Sequence, residues 1–127
     1  MDIAPHLGVG KAGEDLAAEY LTNKGYSILE RNIREKFGEI DILAKDKKGT
    51  VHFVEVKTIS AGYADYSGMA PEDNLSAAKL RKMKKICDWY ANGHKELVSR
   101  GYQIDLIAIR LGESGDKNEI KFYSNVA

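Results

Sequence analysis

A chain of 127 residues and 14.1 kDa suits one domain, because two separate cores would each be too small to bury enough apolar surface. Its 43% hydrophobic content is too high for a disordered chain, and nineteen basic side chains balanced by nineteen acidic ones exclude a wholesale basic coat or an acidic tail. The lone Cys87 excludes a disulfide framework and a cysteine-only zinc site, and no run approaches the ~18 apolar residues of a membrane span.

Met1–Gly10 lacks the apolar segment of a signal peptide and reads as a loose arm, so a cytoplasmic location is expected. Lys11–Lys24 reads as a helix, with Leu16, Ala17, Tyr20 and Leu21 as an apolar stripe and Gly25 as its stop. Tyr26–Ile33 is a strand of mixed character. Glu39–Lys45 and Thr50–Thr58 alternate apolar and polar residues, and Asp46-Lys47-Lys48-Gly49 between them has hairpin chemistry. Residues 59–74, broken by Gly62, Gly68 and Pro71, read as a mobile loop. Leu75–Asn92 is the longest helix, with Leu80, Met83, Cys87 and Tyr90 on one face and Gly93 as its stop. Tyr102–Leu111 and Ile120–Val126 supply the last strands. Helix, three strands, helix, and one or two strands make a single α/β domain: a mixed central sheet flanked by helices.

The neutral total is a sum of opposed patches. Residues 1–74 hold nine basic and thirteen acidic side chains, residues 75–100 seven and two, and residues 101–127 three and four. The middle patch includes Lys79, Arg81, Lys82, Lys84 and Lys85; it is either a solvated helix face or a surface for a polyanion such as DNA.

The hairpin carries the chemical signal. A turn centred on Lys48 pairs residues whose numbers sum to 96, which sets Asp41 opposite Glu55 and Glu39 opposite Lys57. Two facing carboxylates in apolar strands need a shared proton, a cation or full solvent exposure to offset their repulsion. A divalent ion is the economical answer, since Mg²⁺ takes few carboxylate oxygens and keeps waters for a phosphate. Lys57, on the face of Glu55, reaches a metal-bound water or a phosphate oxygen. This is equipment for phosphodiester hydrolysis; the alternative is a pleated surface laced with Glu–Lys pairs.

Gly38-Glu39-Ile40-Asp41 followed by Phe53-Val54-Glu55-Val56-Lys57 resembles the Asp…Glu-x-Lys signature of restriction-endonuclease-like nucleases. With Gly10-x-x-Gly13-Glu14 before it and Lys79 after it, the chain from about Gly10 to Ile109 resembles the YraN-like family of small bacterial proteins, itself similar to archaeal Holliday junction resolvases. The resemblance implies a restriction-endonuclease-like fold and a metal-dependent endonuclease, or a nuclease-like protein, acting on branched or structured DNA. The alternatives are a binding module of the same fold without turnover and a metal-independent interaction protein. It implies Mg²⁺ or Mn²⁺ held by Asp41, Glu55 and the Val56 carbonyl, with Lys57 positioning water and Glu14 as an additional acid; a homodimer is possible. Glu14 has a plainer role as well, favouring the helix dipole from the first turn. Lys79, Arg81, Lys82 and Lys85 would contact DNA, with Glu39 supporting the site and Asp105 either supporting it or simply ending its strand. Ile59 and Gln103 stand where the family usually carries Arg.

His6, His52 and His94 show no ligand spacing. Cys87 reads as a small core hydrophobe, Trp89 and Tyr90 as core packing, and Tyr63 and Tyr66 as candidates for stacking on bases.

Overall fold

The computed structural model describes residues 5–60, 76–113 and 117–127, with the backbone alone at 5–9 and 60. Its elements run α1 (Pro5–Asn23), β1 (Ser27–Glu35), β2 (Gly38–Lys45), β3 (Val51–Ser60), α2 (Ala77–Gly93), β4 (Tyr102–Leu111) and β5 (Glu119–Tyr123). The strands form one mixed sheet in sequential order. β3 and β4 pair in parallel, joined through α2, and every other neighbouring pair is antiparallel. This is a small α/β domain with a mixed five-stranded sheet and two helices. Among the described residues no helix is long and apolar enough to cross a membrane.

One helix covers each face of the sheet. Under α2 lie Ile33, Ile40, Leu43, Val51, Phe53 and Ile104, packed on Met83, Ile86, Cys87 and Tyr90. Under α1 lie Ile42, Ala44, Val54, Ile107 and Ile109, packed on Ala17 and Leu21. Burial on both faces is why the alternation gives way to the unbroken apolar stretches Ile42–Ala44 in β2 and Leu106–Ile109 in β4. Cys87 is the small core hydrophobe its spacing suggests, and burial pushes its thiol up to about 12.

Several boundaries shift for local reasons. The first helix begins at Pro5, so residues 5–10 are helical where the sequence suggests a loose arm; proline suits a first helical position because its φ is already set. Gly25, at φ +97°, turns the chain out of α1. β3 continues through Ile59 and Ser60 into the stretch expected to be loop, while the rest of that stretch, with Tyr63 and Tyr66, lies outside the described residues. Ser76 caps α2, its hydroxyl accepting from the Lys79 N–H at 3.1 Å, a cap worth ~1 kcal/mol. β5 ends at Tyr123 rather than Val126, because the chain after it is drawn onto β4: Asn125 N donates to Asp105 Oδ1 and Val126 N to the Ile104 carbonyl.

His52 organises that end of the sheet. Its Nδ1 lies 2.5 Å from Asp105 Oδ2 and its Nε2 2.9 Å from Asp46 Oδ2, with His52 and Asp105 both buried. Burial works against a charged imidazole, but the bonds to Asp105 and Asp46 outweigh it and hold the His52 pKa above its usual value. The imidazolium thus donates to both carboxylates. Asp105 also accepts from Gln103 Nε2 at 2.7 Å, and Asp46 accepts the Lys48 and Thr50 N–H groups that close the hairpin turn. One cation ties the β2–β3 turn to β4 and the C-terminal residues.

Because the folded-state pKa of His52 is raised, its stabilisation is full below ~6.5 and lost as pH rises through that higher value. His52→Gln leaves Asp105 buried without its cation and should cost ~3–5 kcal/mol. Thermal unfolding across pH 5–9 checks both: the gap between the two proteins should narrow as pH rises, and a constant gap would mean that His52 is neutral.

Candidate functional site

The site forms where β2 stops pairing with β3. The ladder runs Lys45–Val51, Ala44–His52, Leu43–Phe53 and Ile42–Val54, which is the expected sum of 96, and ends there. Asp41 is therefore not laddered to Glu55, nor Glu39 to Lys57. The strand alternation breaks at the same place. Ile40 packs under α2 and Ile42 under α1, although two residues apart should share a face. Across the sheet, Arg31 reaches α1 while Ile33 packs under α2, and Asn32 between them sits at φ +55°. Asparagine is among the few residues that tolerate this left-handed region. The paired irregularity at Asn32 and Asp41 turns Asp41 into the gap, where its Oδ2 accepts the Val56 N–H at 2.8 Å.

The gap opens into a cleft of about 500 Å³ lined by Glu14, Arg31, Asn32, Asp41, Glu55, Lys57 and Lys79 among others. Glu14 enters from α1, which approaches β3 closely because residue 13 is glycine: a Cβ there would collide with the Thr58 side chain. Both Arg31 Nε and Asn32 Nδ2 donate to Glu14 Oε1, each at 2.9 Å. Arg31 also reaches Asp15 Oδ1 at 2.6 Å. Glu55 is held by Lys79, Nζ to Oε2 at 2.9 Å. No carboxylate lies within ion-pair distance of Lys57 among the described residues, so this ammonium faces the cleft unneutralised.

Burial and the neighbouring Glu55 together push the Asp41 carboxyl up to about 8, with the Val56 N–H opposing them and Glu39 adding to them. Two ionised carboxylates ~4 Å apart repel by ~4 kcal/mol at an effective permittivity of ~20, so one proton shared between them is the cheaper state. Lys79 pairs with Glu55, while burial and that neighbouring carboxylate favour the proton on Asp41.

Of the acids and bases expected here, Glu14, Asp41, Glu55 and Lys57 line one cleft, with Glu39 at its rim 3.7 Å from Arg34. Asp105 binds His52, Gln103 and Asn125 and is not among the residues lining the cleft. Lys79 pairs with Glu55, whereas Arg81, Lys82 and Lys85 are exposed along α2. Trp89 is a correction: Tyr90 is core, but Trp89 is 45% exposed. His94 caps the end of α2, its Nδ1 2.8 Å from the Tyr90 carbonyl. Arg31 and Asn32, which hold Glu14, escape sequence reasoning; an Arg-Asn pair inside a strand carries no signal by composition.

The donor set fits a hard divalent ion in its two central members. Asp41 and Glu55 already need a proton and an ammonium to coexist, and such ions accept few carboxylates with carbonyl and water filling the remainder. A third carboxylate is not supplied, because Glu14 is engaged by Arg31 and Asn32. No group of three or more His, Cys, Asp or Glu side chains suited to a metal occurs among the described residues.

The raised pKa of Asp41 means that the metal-free folded state keeps a proton the unfolded chain releases above ~4, so stability should decline from there to about pH 8. Asp41→Asn keeps an acceptor for Val56 and removes that decline. In metal-free buffer at pH 8 it should raise the melting temperature by roughly 3–6 °C, about 1 kcal/mol for a domain of this size. Calorimetry with a chelator present measures this, and a lowered melting temperature would refute the shared-proton account.

Comparison with known proteins places the chain. Residues 13–109 match the model of the uncharacterised protein family UPF0102. A UPF0102 protein of Campylobacter lari is 38% identical over 118 residues, covering 93% of this chain and 92% of the relative. One from Persephonella marina is 44% identical over 100 residues, 79% and 81% of the two chains, and one from Syntrophotalea carbinolica 39% over 120, 92% and 89%. A match across the whole span from Gly13 to Ile109, with relatives of similar length, makes this chain a member of the UPF0102 family.

Proposed function

We propose that this protein is a metal-dependent nuclease-like protein of restriction-endonuclease-like architecture that acts on branched or structured DNA. The observation that carries the reading is the half-buried Asp41–Glu55 pair, which lines one cleft with Lys57 and Lys79 and is bordered by the basic helix α2. Asp41 and Glu55 would hold Mg²⁺ or Mn²⁺, with the Val56 carbonyl as a further oxygen. When bound, such an ion supplies Lewis-acid polarisation of the phosphate and a water of lowered pKa. Holding it would require Asp41 to give up its proton and Lys79 to leave Glu55. Lys79 would then be free for a phosphate oxygen, and Lys57 would stabilise negative charge developing on the phosphate. Arg81, Lys82 and Lys85 contact the DNA backbone. Glu14 in this reading is a reserve acid, with Arg31 and Asn32 as its holders.

A second reading is a DNA-binding module without turnover. It is favoured by the two cationic or amide partners that occupy Glu14 and by the Lys79–Glu55 ion pair, which together satisfy the acids without a metal.

Titration with Mg²⁺ and Mn²⁺, followed by melting temperature, should stabilise the parent and leave Asp41→Asn unmoved. Branched, flapped and linear DNAs should then be cleaved by the parent with metal and not by the Asn variant. Metal binding without cleavage of any substrate would support the module, and equal binding by the variant would remove Asp41 from the site. Replacing Lys82 and Lys85 with Ala should weaken DNA binding and lower its salt slope by about one unit for each phosphate no longer neutralised. An unchanged slope would return these lysines to an ordinary solvated face.

A further inference from the structure

Phe37 and Trp89 form an edge-to-face pair, ring centroids 5.5 Å apart, and remain 37% and 45% exposed. Rings of this size are what a small domain gains most by burying, so an exposed pair needs an occupant or a reason. Phe37 stands in the β1–β2 turn next to Gly38, and Gly38 packs on Ile86 of α2, so the turn runs along one flank of that helix. At 100° per residue, Lys82, Lys85 and Trp89 fall within an arc of about 60° on α2. All three are exposed, and Lys82 borders the acidic cleft beside Glu55 and Lys79. The distance from Lys79 to Trp89 along the helix is ~15 Å, about four nucleotides of a stacked strand.

A second copy of the chain and a nucleic acid are the two candidates to cover such a pair. A two-fold contact centred on the rings would set Lys85 and Lys36, exposed beside Phe37, near their own copies. A polyanion turns the same lysines into attraction. A duplex keeps its base faces stacked inside, whereas an unpaired strand offers them to aromatic side chains, a contact that tolerates any sequence.

We infer that Phe37 and Trp89 are a stacking platform for unpaired bases of a DNA strand whose phosphates follow Lys85 and Lys82 toward the Asp41–Glu55 cleft. This deepens the nuclease-like reading and rests on it for the choice of DNA; the platform itself needs no metal. The substrate class is then DNA with a single-stranded segment beside the junction.

Trp89 is the chain's one tryptophan, so its fluorescence reports the platform directly. The full chain, with chelator present, is titrated with a short oligothymidylate, a blunt duplex and an oligouridylate as long as the oligothymidylate. The single DNA strand should quench Trp89, and Phe37→Ala should weaken its binding about tenfold while changing duplex binding less than about twofold. Trp89→Leu, followed by anisotropy of labelled DNA, should reproduce that split, and unchanged melting temperatures show that both variants fold. Absence of quenching, equal loss on both DNAs, or tighter binding of the RNA overturns the inference. So does self-association of the parent that either variant abolishes, which would give the pair to a second copy. Strand binding with no cleavage of any DNA leaves the platform standing and removes only the nuclease.

Discussion

The point at which β2 parts from β3 determines the rest of the cleft. Had the ladder continued past Ile42–Val54, Asp41 and Glu55 would have met as an ordinary cross-strand pair and the sheet would have closed over them. Parting instead leaves the Val56 N–H without a strand partner, and a buried N–H without one is costly. Asp41 supplies the missing acceptor from its side chain, 2.8 Å away. The carboxyl is thereby both a substitute for a ladder bond and the innermost group of the site. That bond ties the carboxyl to the β3 backbone, which suits a group that must hold a partner at a defined distance.

Each acid in the cleft is neutralised by different means. Arg31 and Asn32 hold Glu14, Lys79 holds Glu55, and Asp41 is held by a proton. Three acids thus converge beside the rim residue Glu39, each held by groups of the protein itself or by a proton. The three neutralisers differ in how readily they leave. A proton exchanges with solvent, and the half-exposed Lys79 can swing away, but Arg31 is tied to Asp15 as well as Glu14. The Asp41–Glu55 side of the cleft is the exchangeable one.

Much of this is legible in the sequence. The hairpin register is, because Asp46–Gly49 is good turn chemistry and Leu43, Phe53 and Val54 alternate on either side of it. The break at Asp41 is not, since it depends on the left-handed backbone of Asn32 in a neighbouring strand, and one such residue leaves no periodic trace. The tie between Asp105 and His52 is not legible either, because the two are 53 residues apart and share no spacing motif. Trp89 and Tyr90 read together as core, although neighbours on a helix point ~100° apart and only Tyr90 shares the face of Met83 and Cys87. The first helix starts early because Pro5 opens it, in a stretch too rich in glycine for an apolar stripe to form.

Gly13 acts as a spacer. Where α1 meets β3, helix backbone lies against the Thr58 side chain with no hydrophobic layer between them. Most helix–sheet contacts are cushioned by side chains that repack when one of them changes. This one has no such compliance, so the separation of helix and strand is set by the bare thickness of the main chain. A single methyl, one C–C bond of ~1.5 Å, would act there as a wedge. It would lift Glu14 away from the strand while leaving every acid and base of the cleft chemically intact. The cleft's width is a dimension inherited from the backbone, open to alteration by a residue that takes no part in any bonding within it.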